Sequence, residues 1–501
     1  MRVSVLDLGS NSFRLLVADA GLGRTITPVA RDREMLHLGA VVARNGTIPP
    51  EDLDRAVAAV KRLADMAVRA GAEQGHVVGT SALRSAANGD EVLRSLSRAA
   101  GSEIVLLDGA EEAYLSFLGV RAAVALRGKR LSVLDLGGGA MEIVVGGPDG
   151  VEWSESADVG VSRLHAECSV GDAMDEEAVD RVRALVDERF GHLLAGRSMA
   201  RRVVAVGGSI RALAHVVADR TMHWLPPSLN QLPIELAQVS DLRAELTPMT
   251  AEERVAAGVK TSRADHIGVA AVVVERALQL LGASGFELSD WGLREGLVLD
   301  TYGGHSISSG KKLRRSEVGR VRDTFSPDGP DHASLVARLA VELFDATTTI
   351  HGLGRADRDL LEFGALLHDI GRSLSVKGFH KHSAYLLENA EIRGFSPLEV
   401  ALLVSLVRFS RTGETKGSFE PLAALPPEWQ ARLEKLLALF VVVDAIDWAR
   451  SGQIDQVDIS VGPGTVAIQP VGDRSSLRPE VVDSAIKRFQ AVFGTTVSFS
   501  L

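Results

Sequence analysis

Cysteine is almost missing from this chain: Cys168 is the only one in 501 residues. An intrachain disulfide is therefore excluded, and a reducing, cytoplasmic setting is expected. Long apolar runs are missing too. The longest near the end, Leu436–Val443, is far short of the roughly 20 residues that cross a bilayer. Asp7 interrupts the apolar start that follows Arg2, so the sequence predicts neither a membrane partner nor a signal peptide. Base is in short supply: 55 Lys and Arg stand against 65 Asp and Glu, a formal net charge of −10. That argues against a broad basic face of the kind that binds DNA. An anionic ligand would need a local basic site, working against the global field. What is present is 46% apolar and 24% charged, a globular composition, with length for about three domains.

One hexapeptide, Ser-Val-Leu-Asp-Leu-Gly, occurs twice, at Ser4–Gly9 and at Ser132–Gly137. Each copy runs through a small-residue turn into a second apolar run, as SVLDLGSNSFRLLVAD and SVLDLGGGAMEIVVGG. The apolar runs read as buried strands. Asp7 and Asp135 stand where the first strand of each hairpin ends. Gly9, followed by Ser10 and Asn11, and the triplet Gly137, Gly138 and Gly139 make turns that let backbone N–H groups approach an anion. An Asp beside such a cradle can hold a hydrated Mg²⁺ or orient a water. Two hairpins in matching register suggest two similar half-domains that grip one phosphorylated substrate. Val203–Val206, followed by Gly207, Gly208 and Ser209, is a further strand–turn–helix unit suited to an anion at a helix N-terminus.

Strands and helices alternate around these hairpins, which predicts α/β architecture. The sequence divides into a first lobe over 1–128, a second over 129–303, and a Gly/Ser/Lys-rich linker over 304–316. A helical domain is expected over 317–452, and a small α+β tail over 453–501. In the tail, two alternating runs flank Gly462-Pro463-Gly464, a hairpin signal.

Seven segments together resemble the exopolyphosphatase/guanosine pentaphosphate phosphatase (Ppx/GppA) family of the actin–Hsp70–sugar-kinase superfamily. They are LDLGSNSFRLLVAD, VGTSALRSAANGDE (78–91), DGAEEAYLSFLGV (108–120), LDLGGGAMEIVVG, VGGSIRALA (206–214), RAD (263–265) and GLREG (292–296), in the family's order. The resemblance implies two actin-like, ribonuclease H-like lobes and Mg²⁺-dependent removal of terminal phosphate from inorganic polyphosphate or from pppGpp. It also implies a homodimer. Carried over by motif, Glu112 and Glu142 are the water-activating acids. Spacing alone would leave Glu111 or Glu112 as a helix-start acid. Arg84 and Arg14 could contact a polyanion, since guanidinium fits phosphate bidentately; a surface ion pair is the alternative for each. Arg294 reads as structural. The family's Gly-Gly-Gly-Ser-Thr-Glu is Gly-Gly-Gly-Ala140-Met141-Glu here, a loss of two hydroxyls.

The helical region holds His332, the pair His368-Asp369 in ALLHDIG, and Asp444 in VVVDAID. That order resembles the HD superfamily of metal-dependent phosphohydrolases, and imidazole with carboxylate suits Mn, Fe, Zn or Ni. His380 and His382 could add ligands or bind phosphate. Ser410 stands where many relatives place a His. Three functions are therefore expected in competition: phosphate release in the cleft, an HD-type phosphohydrolase with the lobes as phosphate or alarmone sensor, and a non-enzymatic polyphosphate or (p)ppGpp regulator.

Overall fold

The computed structural model describes residues 1–21, 26–126, 130–302, 310–325 and 331–499. Packing separates it into two units, one of residues 1–221 with 229–313, the other of 222–228 with 314–501.

The first unit holds two sheets. Strands β1 (Arg2–Leu8), β2 (Ser12–Ala20), β3 (Ile26–Met35), β4 (Gln74–Gly79) and β5 (Ile104–Leu106) lie in the order β3-β2-β1-β4-β5. Strands β6 (Leu131–Leu136), β7 (Met141–Gly147), β8 (Gly150–Ala157), β9 (Val203–Val206) and β11 (Gly285–Leu288) lie in the order β8-β7-β6-β9-β11, with β10 (Pro233–Glu235) added at the edge. The two orders are the same when each sheet is counted from its own first strand. In both, the hairpin pairs antiparallel and the next strand joins the first one parallel. The repeated hexapeptide is therefore the central strand of a duplicated fold: two actin-like lobes.

Two helices pack between the sheets, Gly109–Ala123 and Leu293–Tyr302, in a core shared with Val3, Val5, Leu131, Val133 and Val204. Their backbones touch. A Cβ at Gly119 would lie 2.1 Å from the Gly292 carbonyl oxygen, and one at Gly296 would lie 1.8 Å from that of Leu115. Only glycine fits at such a crossing, which fixes where the first helix presents Glu112. That helix begins with a reciprocal cap. The Asp108 carboxylate accepts from the Glu111 N–H and the Glu111 carboxylate accepts from the Asp108 N–H, each at 2.8 Å. Glu111 is thus a capping acid, and Glu112 is the one turned inward, 9% exposed.

The second unit is mostly helical. Gly310–Phe325, Asp331–Ala346, Arg355–Leu367, Pro397–Phe409 and Pro427–Ile446 surround a core of Leu339, Leu360, Phe363, Leu402 and Phe440. Strands β12 (Ile454–Gly462), β13 (Thr465–Gly472) and β14 (Thr496–Phe499) form a three-stranded sheet, and Ile468 and Phe489 join the same core. The first of these helices covers part of the segment that composition predicts as linker: residues 310–316 are helical, and 303–309 lie outside the described residues. The reason is tertiary. Arg314 donates to the Gly394 carbonyl at 2.7 Å and to both Glu399 oxygens at 2.8 and 2.9 Å, partners that local composition cannot reveal. Among the described residues no helix is long and apolar enough to cross a membrane.

Candidate active site and a candidate metal centre

The two hairpin turns meet. A Cβ on Gly138 would lie 2.8 Å from the Asn11 side chain, and one on Gly139 would lie 2.4 Å from Ser81 Oγ and 2.9 Å from Ser10 Oγ. Ser162 Oγ bonds the Asn11 carboxamide across the same seam. The glycine triplet is therefore needed for close approach between the lobes.

A cleft opens beside this seam. It is lined by Asp7, Gly9, Ser10, Asn11, Glu112, Asp135, Gly137, Gly138, Gly139, Glu142, Gly207, Gly208 and Ser209, all expected from the sequence. Arg84 is absent from that lining but adjoins it, with Nη1 donating to Glu112 Oε1 at 2.9 Å and to the Leu107 carbonyl.

The four carboxylates share one electrostatic problem. Burial pushes all of them upward, and the charge of Asp135 adds to the rise of the other three. Glu112 is raised to about 7 by burial, opposed by Arg84 and reinforced by Asp7 and Asp135. Glu142 is raised well above its ordinary value by burial, Glu112 and Asp135, while Ser156 Oγ donates to it at 2.9 Å. Asp135 also accepts from Ser116 Oγ. An all-oxygen set of crowded acids fits a hard, hydrated cation such as Mg²⁺, with Asp7 and Asp135 as its holders. A carboxyl that titrates near neutrality is suited to proton transfer.

Ala140 lines the cleft, so the hydroxyl lost there is lost from the site, whereas the one lost at Met141 is not. Met141 is 1% exposed, paired with Ala157 inside the sheet and absent from the cleft lining. Ser10, Ser12, Thr80, Ser81 and Ser209 still bring hydroxyls to the cleft.

Cations occupy the other side, and most were missed from the sequence. In register across β1, β2 and β3 stand Asp7, Arg14 and Arg33. Gly208 opens the helix Gly208–Thr221, where a Cβ would lie 2.3 Å from Arg263 Nη2 and 3.2 Å from Arg14 Nη2. Two guanidinium groups thus flank a helix N-terminus, an anion site by both charge and N–H donors. Arg263 is pulled down to about 10 by burial and by the repulsion of Arg14, Arg33 and Arg211. Arg14, Arg211, Arg263 and Arg294 also line an adjoining chamber with Arg31, Arg33, Lys260 and His215. Among the described residues its single acid, Asp32, is engaged by Arg62 at 2.6 Å. The available signals were the alternate arginines of Arg31-Asp32-Arg33 on a strand, and the RAD motif itself.

A family model for the Ppx/GppA phosphatase family matches residues 16–305, and one for Ppx/GppA phosphatase, domain III, matches 313–460. The chain belongs to the Ppx/GppA phosphatase family. It is 30% identical over 305 residues to "Exopolyphosphatase 1" of Mycobacterium leprae, covering 60% of this chain and 89% of that relative. The protein of the same name from Mycobacterium tuberculosis is also 30% identical, with 60% and 88% covered. The crystal structure of an exopolyphosphatase from Cytophaga hutchinsonii matches with a TM-score of 0.57 at 26% identity, covering 62% of this chain and all 100% of that one. The Ppx/GppA family member from Aquifex aeolicus shares the fold, with a TM-score of 0.52 at 24% identity over 60% of this chain and 97% of its own.

Domain III, which is HD-like in the Ppx/GppA family, carries a second set of residues. His332 on Asp331–Ala346, His368 at the end of Arg355–Leu367, and Asp369 offer ligand atoms within 4.8 Å of one another. Asp444 Oδ1, from Pro427–Ile446, lies 3.7 Å from His332 Nε2 and 3.6 Å from His368 Nε2. The sequence-predicted quartet is therefore brought together. His332 Nδ1 bonds Asp447 Oδ2 at 2.7 Å and His368 Nδ1 bonds the Ala365 carbonyl at 2.7 Å. Both bonds place the ring proton on Nδ1 and leave a lone pair on Nε2. Both Nε2 atoms are buried without a hydrogen-bond partner. Two orphaned imidazole nitrogens aimed at one carboxylate fit a borderline divalent cation, with roughly 2.1 Å bonds. His380 and His382 are not in the group of ligand atoms. Ser410 Oγ donates back to the Val407 carbonyl at 2.9 Å. Asp447 was missed; it follows Asp444 by one helical turn in VVVDAID.

Proposed function

We propose that the protein is an exopolyphosphatase that removes terminal phosphate from linear inorganic polyphosphate, and on the same machinery converts pppGpp to ppGpp. What carries this reading is the junction of the acidic cleft with the cationic chamber: a reacting end for one phosphoryl group, and room for a polyanion behind it. Among the described residues the chamber's lining has no aromatic ring other than His215, which offers little to a guanine base and favours the inorganic chain.

In this mechanism Arg14, Arg263 and the N–H groups at Gly208 and Ser209 hold the phosphoryl oxygens. Guanidinium groups and helix N–H donors offset the charge that spreads over those oxygens in the transition state. Mg²⁺, held by Asp7 and Asp135, would supply Lewis-acid polarisation of the phosphate. Glu112 accepts the proton of the attacking water, in competition with Arg84, which keeps its carboxylate oriented. Glu142 acts beside it on the same water. The resemblance to the family supports a cytoplasmic homodimer as the working form.

Glu112→Gln and Glu142→Gln test this directly. Each should abolish phosphate release from polyphosphate and pppGpp in Mg²⁺ while leaving polyphosphate binding intact; full activity in both variants refutes the reading. A second reading, an HD-type phosphohydrolase in domain III holding Mn, Fe, Zn or Ni, is favoured by the unpartnered Nε2 atoms of His332 and His368. Loss of all phosphate release in His368→Ala would move catalysis there.

A further inference from the structure

The carboxylate of Asp369 is already taken. Arg450 Nη1 forms an ion pair with its Oδ2. The arginine comes from the turn after Pro427–Ile446 and is held in an unusual way. Its φ is +56°, in the left-handed region that side chains other than glycine, Asn and Asp seldom adopt. Its N–H donates to the Asp447 carbonyl at 2.8 Å, and Asp447 Oδ1 accepts from the Gly452 N–H at 3.0 Å. The other oxygen of Asp447 orients His332. One carboxylate thus sets a candidate ligand and pins the turn that delivers the arginine. The guanidinium also lies 5.4 Å from the centre of the Phe379 ring, where Arg372 and Arg411 stand at 5.8 and 5.7 Å.

We propose that Arg450 is the resident counter-ion of the His332–His368–Asp369–Asp444 site, and that a divalent cation enters by displacing its guanidinium from Asp369. The inference rests on reading those four residues as a metal-binding set. Its physical basis is that one carboxylate oxygen cannot serve a cation and a guanidinium equally, because the two positive charges repel at contact distance. Asp369 is a half-buried partner in a charge-assisted pair, so its release opposes metal entry. Once displaced, Arg450 remains beside Arg372 and Arg411 around Phe379. A phosphate-bearing anion is the chemistry three such guanidinium groups would hold.

The experiment is Ni²⁺ binding to the full-length protein, followed by calorimetry and by metal analysis after gel filtration. The component of interest is the one that His368→Ala removes, which separates it from any cation held in the cleft. Arg450→Gln should bind that ion about tenfold or more tighter than wild type, since a charge-assisted hydrogen bond no longer competes. Arg450→Lys, which keeps the positive charge, should return affinity towards wild type. Equal affinity in wild type and Arg450→Gln overturns the displacement and leaves the metal reading standing. Absence of a His368-dependent ion in all three proteins overturns both. Metal taken up only by Arg450→Gln supports the proposal in its strongest form.

Discussion

Glu112→Gln should do two opposite things: stop catalysis and stabilise the fold. The Glu112 carboxyl is 9% exposed and raised from an ordinary 4.5 to about 7, first by burial and then by Asp7 and Asp135, against the pull of Arg84. In the folded protein it keeps its proton over a pH range where the unfolded chain has lost it. At this site the folded state therefore binds more protons between about pH 4.5 and 7, so the contribution of Glu112 to stability falls as pH rises through that window. A shift of about 2.5 units corresponds to about 3 kcal/mol. Glutamine removes that penalty and still accepts from Arg84. In EDTA, the change in stability from pH 5 to pH 8 should be about 2.5 kcal/mol more favourable in Glu112→Gln than in wild type. Urea unfolding followed by intrinsic fluorescence at the two pH values measures the difference. The same substitution should lower phosphate release by about 10²–10⁴-fold, the range for a lost general base. A variant whose stability follows that of wild type in parallel from pH 5 to pH 8 would refute the electrostatic argument whatever happens to activity.

Arg263→Gln should raise KM for long-chain polyphosphate by about tenfold or more and lower the salt dependence of binding, with a smaller effect on kcat; steady-state kinetics at two ionic strengths separate these. Gly296→Ala forces a methyl to within 1.8 Å of the Leu115 carbonyl oxygen, so thermal unfolding should show a loss of about 3 kcal/mol or more. Met141→Thr, which restores a hydroxyl in a buried position, should destabilise without raising phosphate release; a faster enzyme would mean the lost hydroxyl had a role in the cleft. His368→Ala should leave polyphosphate hydrolysis within about twofold of wild type, the scale of ordinary context effects, if the cleft is the active site.

The readable parts of the sequence were those whose physics is local. Asp7 and Asp135 with their glycines stood out because a strand, a turn and a returning strand carry their own pattern, and because the pattern came twice. Glu111 and Glu112 could not be told apart by spacing, since both suit the start of a helix; the cap formed with Asp108 decides between them. The cationic chamber was invisible for a different reason. Arg31, Arg33, Arg211, Lys260, Arg263 and Arg294 come from separate strands, helices and turns, and only register and chain reversal bring them together. The linker misled because Lys311, Lys312, Arg314 and Arg315 look solvated in isolation, whereas Arg314 is buried against Glu399.

The duplication itself explains how one cleft comes to be acidic on one side and basic on the other. The hexapeptide copies are offset so that Asp7 corresponds to Asp135, and its cross-strand partner Arg14 corresponds to Glu142. The same position of the same hairpin carries a guanidinium in one lobe and a carboxyl in the other. Identical charges at those two positions would have added a fifth acid to the four already crowded there, or left a cationic cradle with fewer groups to activate water. With opposite charges, the first hairpin offers a guanidinium to the anion and the second offers a carboxyl to its reacting atom, while Glu112 from the first lobe and Arg263 from the second add to each side. Exchanging them tests this: Arg14→Glu combined with Glu142→Arg keeps the net charge but should lose both polyphosphate binding and phosphate release. Retention of either function would mean that the hairpins contribute only their backbone turns, and that the charges at these two positions are not what divides the labour between the hairpins.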